Sequence, residues 1–444
     1  MMSDLMRLDD LGDWRRTHFA NDLTPALSGS EVVVMGWVGD IRDLGGLKFF
    51  TLHDVSGWVQ VTAPKAKVGK EVLRKVDALT PQSSVAVKGK LVAMKQAPRG
   101  IEIIPDALKI FNIAVTPLPL DPYGRVRAEL DTRLDSRFLD LRSPRSIAIF
   151  KIRNVAVQTI RDFLTSQGFI EVHTPKIVAS ATESGAALFP ISYFDREAFL
   201  SQSPQLYKEI LTGIFERVFE IGPIFRAEEH DTRRHLNEAT SVDIEAAFMD
   251  EEDVMKVLES MVVKVFEAVE NKCAGELEVL QHKLKKPKLP FPRISYTEAL
   301  EMLEEAGVKL KWGEDFSTQA EKKLGELIGG AYFVIDWPTE IKPFYIIPKS
   351  ERPEICRAFD LMYEDIELSS GGMRIHLEEM LVEQLKRKGL NPQNFESHLK
   401  NFRYGIPPHS GWGLGLDRLT MVLTDAANIR EVVFFPRDRQ RLTP

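Results

Sequence analysis

The chain has 444 residues, 44% hydrophobic and 28% charged, with 28 glycines and 25 prolines. That length predicts two or three domains, and the balance is that of an ordinary globular enzyme, not of a collagen-like or low-complexity chain. A formal net charge of −7 argues against non-specific coating of nucleic acid, and no apolar run approaches the ~18 residues that cross a bilayer.

Residues 1–10 are polar and mixed in sign, unlike a secretory leader. Cys273 and Cys356 stand outside any metal-ligand spacing, so a reducing cytoplasm is the expected setting. From Glu31 to Phe111 the pattern is one of short strands: an apolar run through Val32 and Trp37, then Leu47–Leu52, Trp58–Thr62, Val85–Val92 and Ile101–Ile104. Gly-containing turns separate them, and residues 70–79 have helical spacing. Five strands with a helix before the fourth fit a small Greek-key barrel of the oligonucleotide-binding type; periodicity alone leaves a generic β-barrel equally open. Nine basic residues between Lys65 and Arg99 face only Glu71 and Asp77. A docked polyanion and a solvated basic face both explain that segregation.

The prolines of Thr116–Pro122 read as a semi-rigid linker. Domains are therefore expected at 1–112 and 136–444, joined by a hinge over 113–135. Ser146–Gln167 predicts a helix stopped at Gly168, followed by a strand from Phe169 to Thr174 that Pro175 ends. An acidic helix is predicted from Asp250 to about Asn271. Residues from about 274 to 344, rich in lysine, glutamate and proline, read as an insertion carrying no site chemistry.

Between predicted strands at Val218–Ile221 and Val242–Ala247 lies a long charged hairpin, Phe225–Leu236. Its Arg226 offers a rigid fork of donors for phosphate or carboxylate, and Glu228 projects to the same face of an extended strand. Charged hairpin tips are commonly just solvated. Gly411, Gly413 and Gly415 alternate before a helix predicted to begin near Leu416. Such glycines serve tight strand packing as readily as close approach of a ligand, but Arg418 in a first helical turn opposes the macrodipole unless an anion is near.

Together these segments resemble the class II aminoacyl-tRNA synthetases. The hairpin is similar to their second motif and residues 411–418 to their third. Phe169–Pro175 is similar to the first, whose proline sits at a dimer interface. A barrel, a hinge and a catalytic domain ending in Phe435-Pro436-Arg437-Asp438-Arg439 resemble the aspartyl branch of archaeal and eukaryotic type. The resemblance implies an N-terminal five-stranded OB-fold barrel that binds the anticodon. It further implies a C-terminal α+β catalytic domain on an antiparallel sheet, acting as a cytoplasmic homodimer.

It also implies ATP-dependent ligation of L-aspartate to tRNA through an aspartyl-adenylate, with Mg2+. Arg226 and Arg418 are then catalytic, and ATP is held by Arg226, Ala227, Glu228, Arg234, His235, Leu236, Glu367, Gly415, Leu416, Asp417 and Arg418. Aspartate is held by Glu183, Gln205, Leu206, Tyr207, Lys208, Arg226, Ser370 and Arg374, with Glu183 receiving the substrate ammonium from a loop similar to the family's lid. Magnesium falls to Glu367 first, Asp360 second, and Ser370 beside them. Lys208, taken alone a surface lysine, supplies with Arg374 the cations that a side-chain carboxylate needs; the asparaginyl relatives have no cation matching Lys208. Where many members carry an adenine-stacking aromatic, this chain has Ala239, which leaves only Arg418 for that role.

Arg42, Phe49 and Gln60 match the anticodon-reading positions, Phe49 by stacking on a base, although a core role for Phe49 is also open. The aspartate and asparagine anticodons differ only in their third letter. Strict members read it with a tryptophan in the first strand and a lysine between the last two; alignment puts Gly39 and Pro98 there. Neither offers a side-chain donor, so the expectation is a non-discriminating enzyme that charges tRNA(Asp) and tRNA(Asn). The alternatives are strict charging of tRNA(Asp), with Lys95 or Arg99 reading the base, an asparaginyl enzyme, or a non-catalytic RNA-binding paralogue. Against the last stand Arg226, Glu228, Glu367 and Arg418 together in one chain.

Overall fold

A computed structural model describes residues 8–179, 188–229 and 232–444. The chain divides between Asp121 and Pro122 into two compact units. In the first, the alternation read over residues 31–111 becomes β1 (Glu31–Asp43), β2 (Leu47–His53), β3 (Trp58–Pro64), β4 (Ser84–Ala93) and β5 (Ile101–Asn112), closed in the order β1-β2-β3-β5-β4. The helix Lys70–Asp77 bridges β3 and β4. Inward-facing Val34, Phe50, Leu52, Val59, Val61, Val87 and Ile103 fill the barrel, the period-two pattern that closure requires.

In the second unit β6 (Ile170–Glu171), β7 (Ile177–Val178), β8 (Pro190–Tyr193), β9 (Arg196–Leu200), β10 (Arg217–Phe225) and β11 (Glu238–Ala247) come first. They are followed by β12 (Arg293–Ser295), β13 (Ala331–Ile335), β14 (Ala358–Tyr363), β15 (Ile366–Met373) and β16 (His409–Gly415). Eight of them form one sheet, ordered β12-β13-β14-β15-β16-β11-β10-β6. Its middle is antiparallel, and only the edge pairs β10–β6 and β12–β13 are parallel. The helices Pro144–Ser166 and Glu251–Lys272 cover one face, against which Val242, Ile244, Trp412 and Leu414 are buried. Trp412 anchors this packing, its indole N–H donating to the Val254 carbonyl at 3.1 Å.

Two expectations need correction. The strand predicted over Phe169–Thr174 is only Ile170–Glu171, because Phe169 turns into the core and Thr174 donates its N–H and hydroxyl to Glu220. Residues 274–344 contribute β12 and β13 to the main sheet, and Lys342 from that stretch reaches the site described below. Among the described residues, no helix is long and apolar enough to cross a membrane.

Candidate active site

The uncovered face of β10, β11, β14, β15 and β16 floors a cleft of about 790 Å³. Strand alternation decides what it presents. On β11, Val242 and Ile244 face the helices while Ser241, Asp243 and Glu245 face the other way. On β16 the alternate glycines do so, and a Cβ at Gly411 would lie 2.3 Å from the Glu245 Oε2. One at Gly371 would lie 2.6 Å from the Gly411 carbonyl. The glycines therefore let the floor of the cleft close tightly over a buried ionic layer.

That layer holds one end of the cleft. Lys208 is 2% exposed, its Nζ 3.0 Å from Asp243 Oδ1, 3.4 Å from Glu245 Oε2 and 3.3 Å from the Trp412 carbonyl. Arg374, also 2% exposed, donates Nε to Glu245 Oε1 at 2.9 Å and Nη2 to Gln205 Oε1 at 3.4 Å. Burial works against the Arg374 charge, but Glu245 raises its pKa above the ordinary value. The helix Gln205–Phe215 buries Gln205, Lys208, Glu209 and Thr212, spaced as one helical face. Leu206 consequently turns away and packs against a separate apolar cluster around Tyr296 and Trp337, which removes it from the expected aspartate contacts. Tyr207 lies outside the cleft lining, and Lys208 itself sits beneath the lining, behind Asp243.

Arg226, Glu228, Arg234, His235 and Leu236, all from the hairpin between β10 and β11, line the other end. Phe225 pairs with Glu238, and Asn237 donates its side-chain N–H to the carbonyls of Arg226 and Glu228, which fixes the base of the hairpin. Arg418, from the first turn of the helix Leu416–Thr424, donates Nη1 to the Glu367 carbonyl at 2.9 Å and Nη2 to His235 Nε2 at 3.1 Å. An arginine can only donate, so His235 accepts there, and its Nδ1–H points to Thr232 Oγ1 at 2.6 Å. Burial, then the Arg418 charge, hold the His235 pKa below its ordinary value. Arg234 pairs with Asp365 and lies 3.8 Å from Glu321. Burial and neighbouring Glu367 push the Glu321 carboxyl up to about 7.

Gly415 and Asp417 line the cleft, Asp417 tied to Arg153 at 2.5 Å and to the Thr240 N–H at 2.9 Å. Leu416, expected at the nucleotide, is buried in the core beneath the sheet, and Ala227 is not part of the lining. A bulge between Leu361 and Met362 opposite β15 brings Glu367 and Ser370, three residues apart, onto the same cleft face. Asp360, 4% exposed and absent from the lining, instead presents Oδ2 to Lys342 Nζ at 2.5 Å. Burial and the Glu367 charge push the Asp360 carboxyl up to about 6. One of its oxygens thus serves an ammonium partner, while Glu367 with Ser370, both on the cleft face, offers the oxygen donors that magnesium takes alongside water and phosphate. No cluster of three or more metal-ligating His, Cys, Asp or Glu side chains occurs among the described residues. Glu183 lies outside the described residues.

Sequence reading missed Lys342, Glu321, Asp243 and Glu245. The carboxylates had a signal: acids alternating with Val, Ile and Ala in a central strand must be buried and therefore paired. Lys342 had none, being brought in by the fold from a stretch read as an insertion.

In the first unit Arg42 and Phe49 are register partners, with Arg42 exposed and Phe49 half-buried. Phe50, not Phe49, enters the barrel core. Gln60 donates to Thr62 and to Glu102 Oε2, each at 3.2 Å. A Cβ at Gly39 would lie 2.3 Å from Thr51 Oγ1 and 2.5 Å from His53 Nε2, so a large side chain there needs both to move. Pro98 is exposed, while Arg99 donates to the carbonyls of Ala20 at 3.0 Å and Trp58 at 2.6 Å.

Residues 129–439 match the family of class II tRNA synthetases (D, K and N), and residues 32–111 match the OB-fold nucleic acid binding domain. The chain is 57% identical over 436 residues to the Aspartate--tRNA(Asp/Asn) ligase of Methanothermobacter thermautotrophicus, covering 98% of this chain and 100% of that one. It is 56% identical to the enzyme of the same name from Methanocaldococcus jannaschii, covering 97% and 99% of the two chains. The crystal structure of asparaginyl-tRNA synthetase from Pyrococcus horikoshii with asparaginyl-adenylate superimposes with a TM-score of 0.93 at 35% identity, over 97% of this chain and 100% of that one. An aspartyl tRNA synthetase from Entamoeba histolytica gives 0.85 at 32% identity, covering 97% of this chain and 93% of that one. With the second and third motifs lining one cleft and a barrel preceding them in the chain, the chain belongs to the class II aminoacyl-tRNA synthetases, enzymes that take ATP as substrate.

Proposed function

We propose that the protein ligates L-aspartate to both tRNA(Asp) and tRNA(Asn). The observation that carries the choice of amino acid is the buried layer in which Arg374 lines one end of the cleft and Lys208 lies directly beneath it, paired with Asp243. A side-chain carboxylate meets charge-assisted donors there, whereas a neutral amide would leave them poorly matched. The α-carboxylate of aspartate attacks the ATP α-phosphorus, the bond to the bridging oxygen breaks, and pyrophosphate leaves. The terminal ribose hydroxyl of tRNA then attacks the aspartyl carbonyl and AMP departs. Arg226 bridges the reacting carboxylate and α-phosphate, and Arg418 holds the β/γ end, so catalysis is positioning plus electrostatics. Glu228 accepts from the adenine amino group, with Arg234, His235 and Leu236 along the nucleotide. Glu367 and Ser370 would hold magnesium, which would supply charge neutralisation on the phosphates when bound. Asp360 acts through Lys342 by keeping that ammonium at the cleft.

The relatives' shared name supports charging of both tRNAs. So does the barrel: Gly39 has no room for a tryptophan, Pro98 has no donor, and Arg99 is committed to backbone carbonyls. Lys95 is the remaining candidate reader. Amino-acid-dependent pyrophosphate exchange followed by charging of defined transcripts tests the whole reading. Aspartate, not asparagine, should support exchange, and the two tRNAs should be charged with efficiencies within about 100-fold, or ~2.7 kcal/mol. A larger preference for tRNA(Asp) would return the enzyme to the strict class. Phe49→Ala should weaken charging about tenfold or more, the scale of one lost base stack, with exchange intact.

A further inference from the structure

Behind the ionic layer, outside the cleft lining, lies a buried cluster that the reaction above does not use: Glu209, His398 and His409, exposed by 0%, 3% and 0%. Glu209 comes from the helix Gln205–Phe215, His398 from the helix Glu396–Phe402 and His409 from the start of β16. Glu209 Oε2 lies 3.6 Å from His409 Nε2 and 3.4 Å from His398 Nε2. His409 Nδ1 lies 2.8 Å from the Pro407 carbonyl, which can only accept, so Nδ1 carries a proton. A neutral His409 would then turn the bare lone pair of Nε2 toward a carboxylate oxygen in a site closed to bulk solvent, which is repulsive. A second proton removes the clash and makes the contact an ion pair.

The charge balance points the same way. Without it the buried layer holds Lys208 and Arg374 against Asp243, Glu245 and Glu209, one negative charge in excess where an anionic substrate group must enter. Glu209 also governs geometry. Its Oε1 accepts from Gln205 Nε2 at 2.7 Å, which turns Gln205 Oε1 to accept from Arg374.

We propose that His409 is an imidazolium in the folded protein and a positioning residue for the amino-acid site: it neutralises Glu209, which holds Gln205 and through it Arg374. This rests on the reading of Arg374 as the cation that meets the substrate carboxylate. The other charged or titratable groups facing His409 are Glu245 on β11, Arg374 and His376 beyond β15, and His398. Burial disfavours the charge, but Glu209 and then Glu245 raise the His409 pKa. A histidine so raised keeps its contribution below its ordinary pKa and loses it as pH climbs through the folded value.

The test pairs spectroscopy with kinetics. The 13Cε1 resonance of His409 should report an imidazolium at neutral pH; a neutral ring would overturn the inference. His409→Asn retains a donor for Pro407 but strands the Glu209 charge. It should raise KM for aspartate roughly thirtyfold or more at pH 8, the scale of unpairing one buried charge, with KM for ATP nearly unchanged. Glu209→Gln combined with His409→Asn removes both charges and should recover most of the loss. A double variant no better than the single would reduce the cluster to packing and sink the proposal. Should the single variant fail to fold, the resonance and the double variant decide. Arg374→Gln is the control: an unchanged KM for aspartate would refute the reading of Arg374 and the positioning role with it, whereas a raised KM there beside an unaffected His409→Asn would refute the positioning role alone.

Discussion

The two ends of the cleft handle positive charge in different ways. Around Lys208 and Arg374, both cations are buried and matched to Asp243 and Glu245 before any ligand arrives. Around Arg418, the guanidinium leans on the Glu367 carbonyl and on a neutral imidazole, and among the described residues no carboxylate approaches it closer than the 3.8 Å of Glu367. The first arrangement fixes direction: burying a charge is costly unless it is paired, and the pairing locks each side chain. The second leaves positive potential unspent, as phosphate binding requires. Selectivity is thus expected where the charges are already paired, and phosphate stabilisation where they are not.

The largest way to break this contrast is Arg226→Ala. Loss of one donor at a reacting phosphate should lower pyrophosphate exchange by ~10²–10³; exchange within about threefold of wild type would take Arg226 out of the chemistry. Next, Lys208→Leu should raise KM for aspartate by roughly thirtyfold or more while ATP changes little, because it strands Asp243 and disturbs Glu245. Equal effects on the two substrates would show that the ends are not separate. The smallest effect concerns His235. Burial and Arg418 depress its pKa, so the neutral ring that accepts from Arg418 persists above the ordinary histidine value and is lost as pH falls through the folded one. KM for ATP should therefore stay level from about pH 8 to 6.5 and rise a few-fold in more acid solution, with His235→Asn flattening the rise. A wild-type profile as flat as the variant's would mean that the imidazole does not serve the nucleotide end.

Several features were legible in residue order because local chemistry fixes them. The barrel strands follow from alternation, the helix Pro144–Ser166 from its apolar face, and the hairpin and Gly415–Arg418 from charge and glycine spacing. Arg226, Glu228 and Arg418 were found this way because each lies in a short motif whose neighbours position it. What residue order left undecided was pairing across the sheet. Lys342 meets Asp360 across 18 positions and Lys208 meets Asp243 across 35, while Arg374 meets Glu245 across 129. Glu209 is joined by histidines from a helix and a strand that lie far along the chain. The same separation gave Asp360, expected at magnesium, an ammonium partner in Lys342 and sent Leu206 and Leu416 into apolar clusters. A side chain's type and its neighbours in sequence determine what chemistry it can do. Which opposite charge it meets after burial is set by strand order and register, and only the folded sheet supplies those.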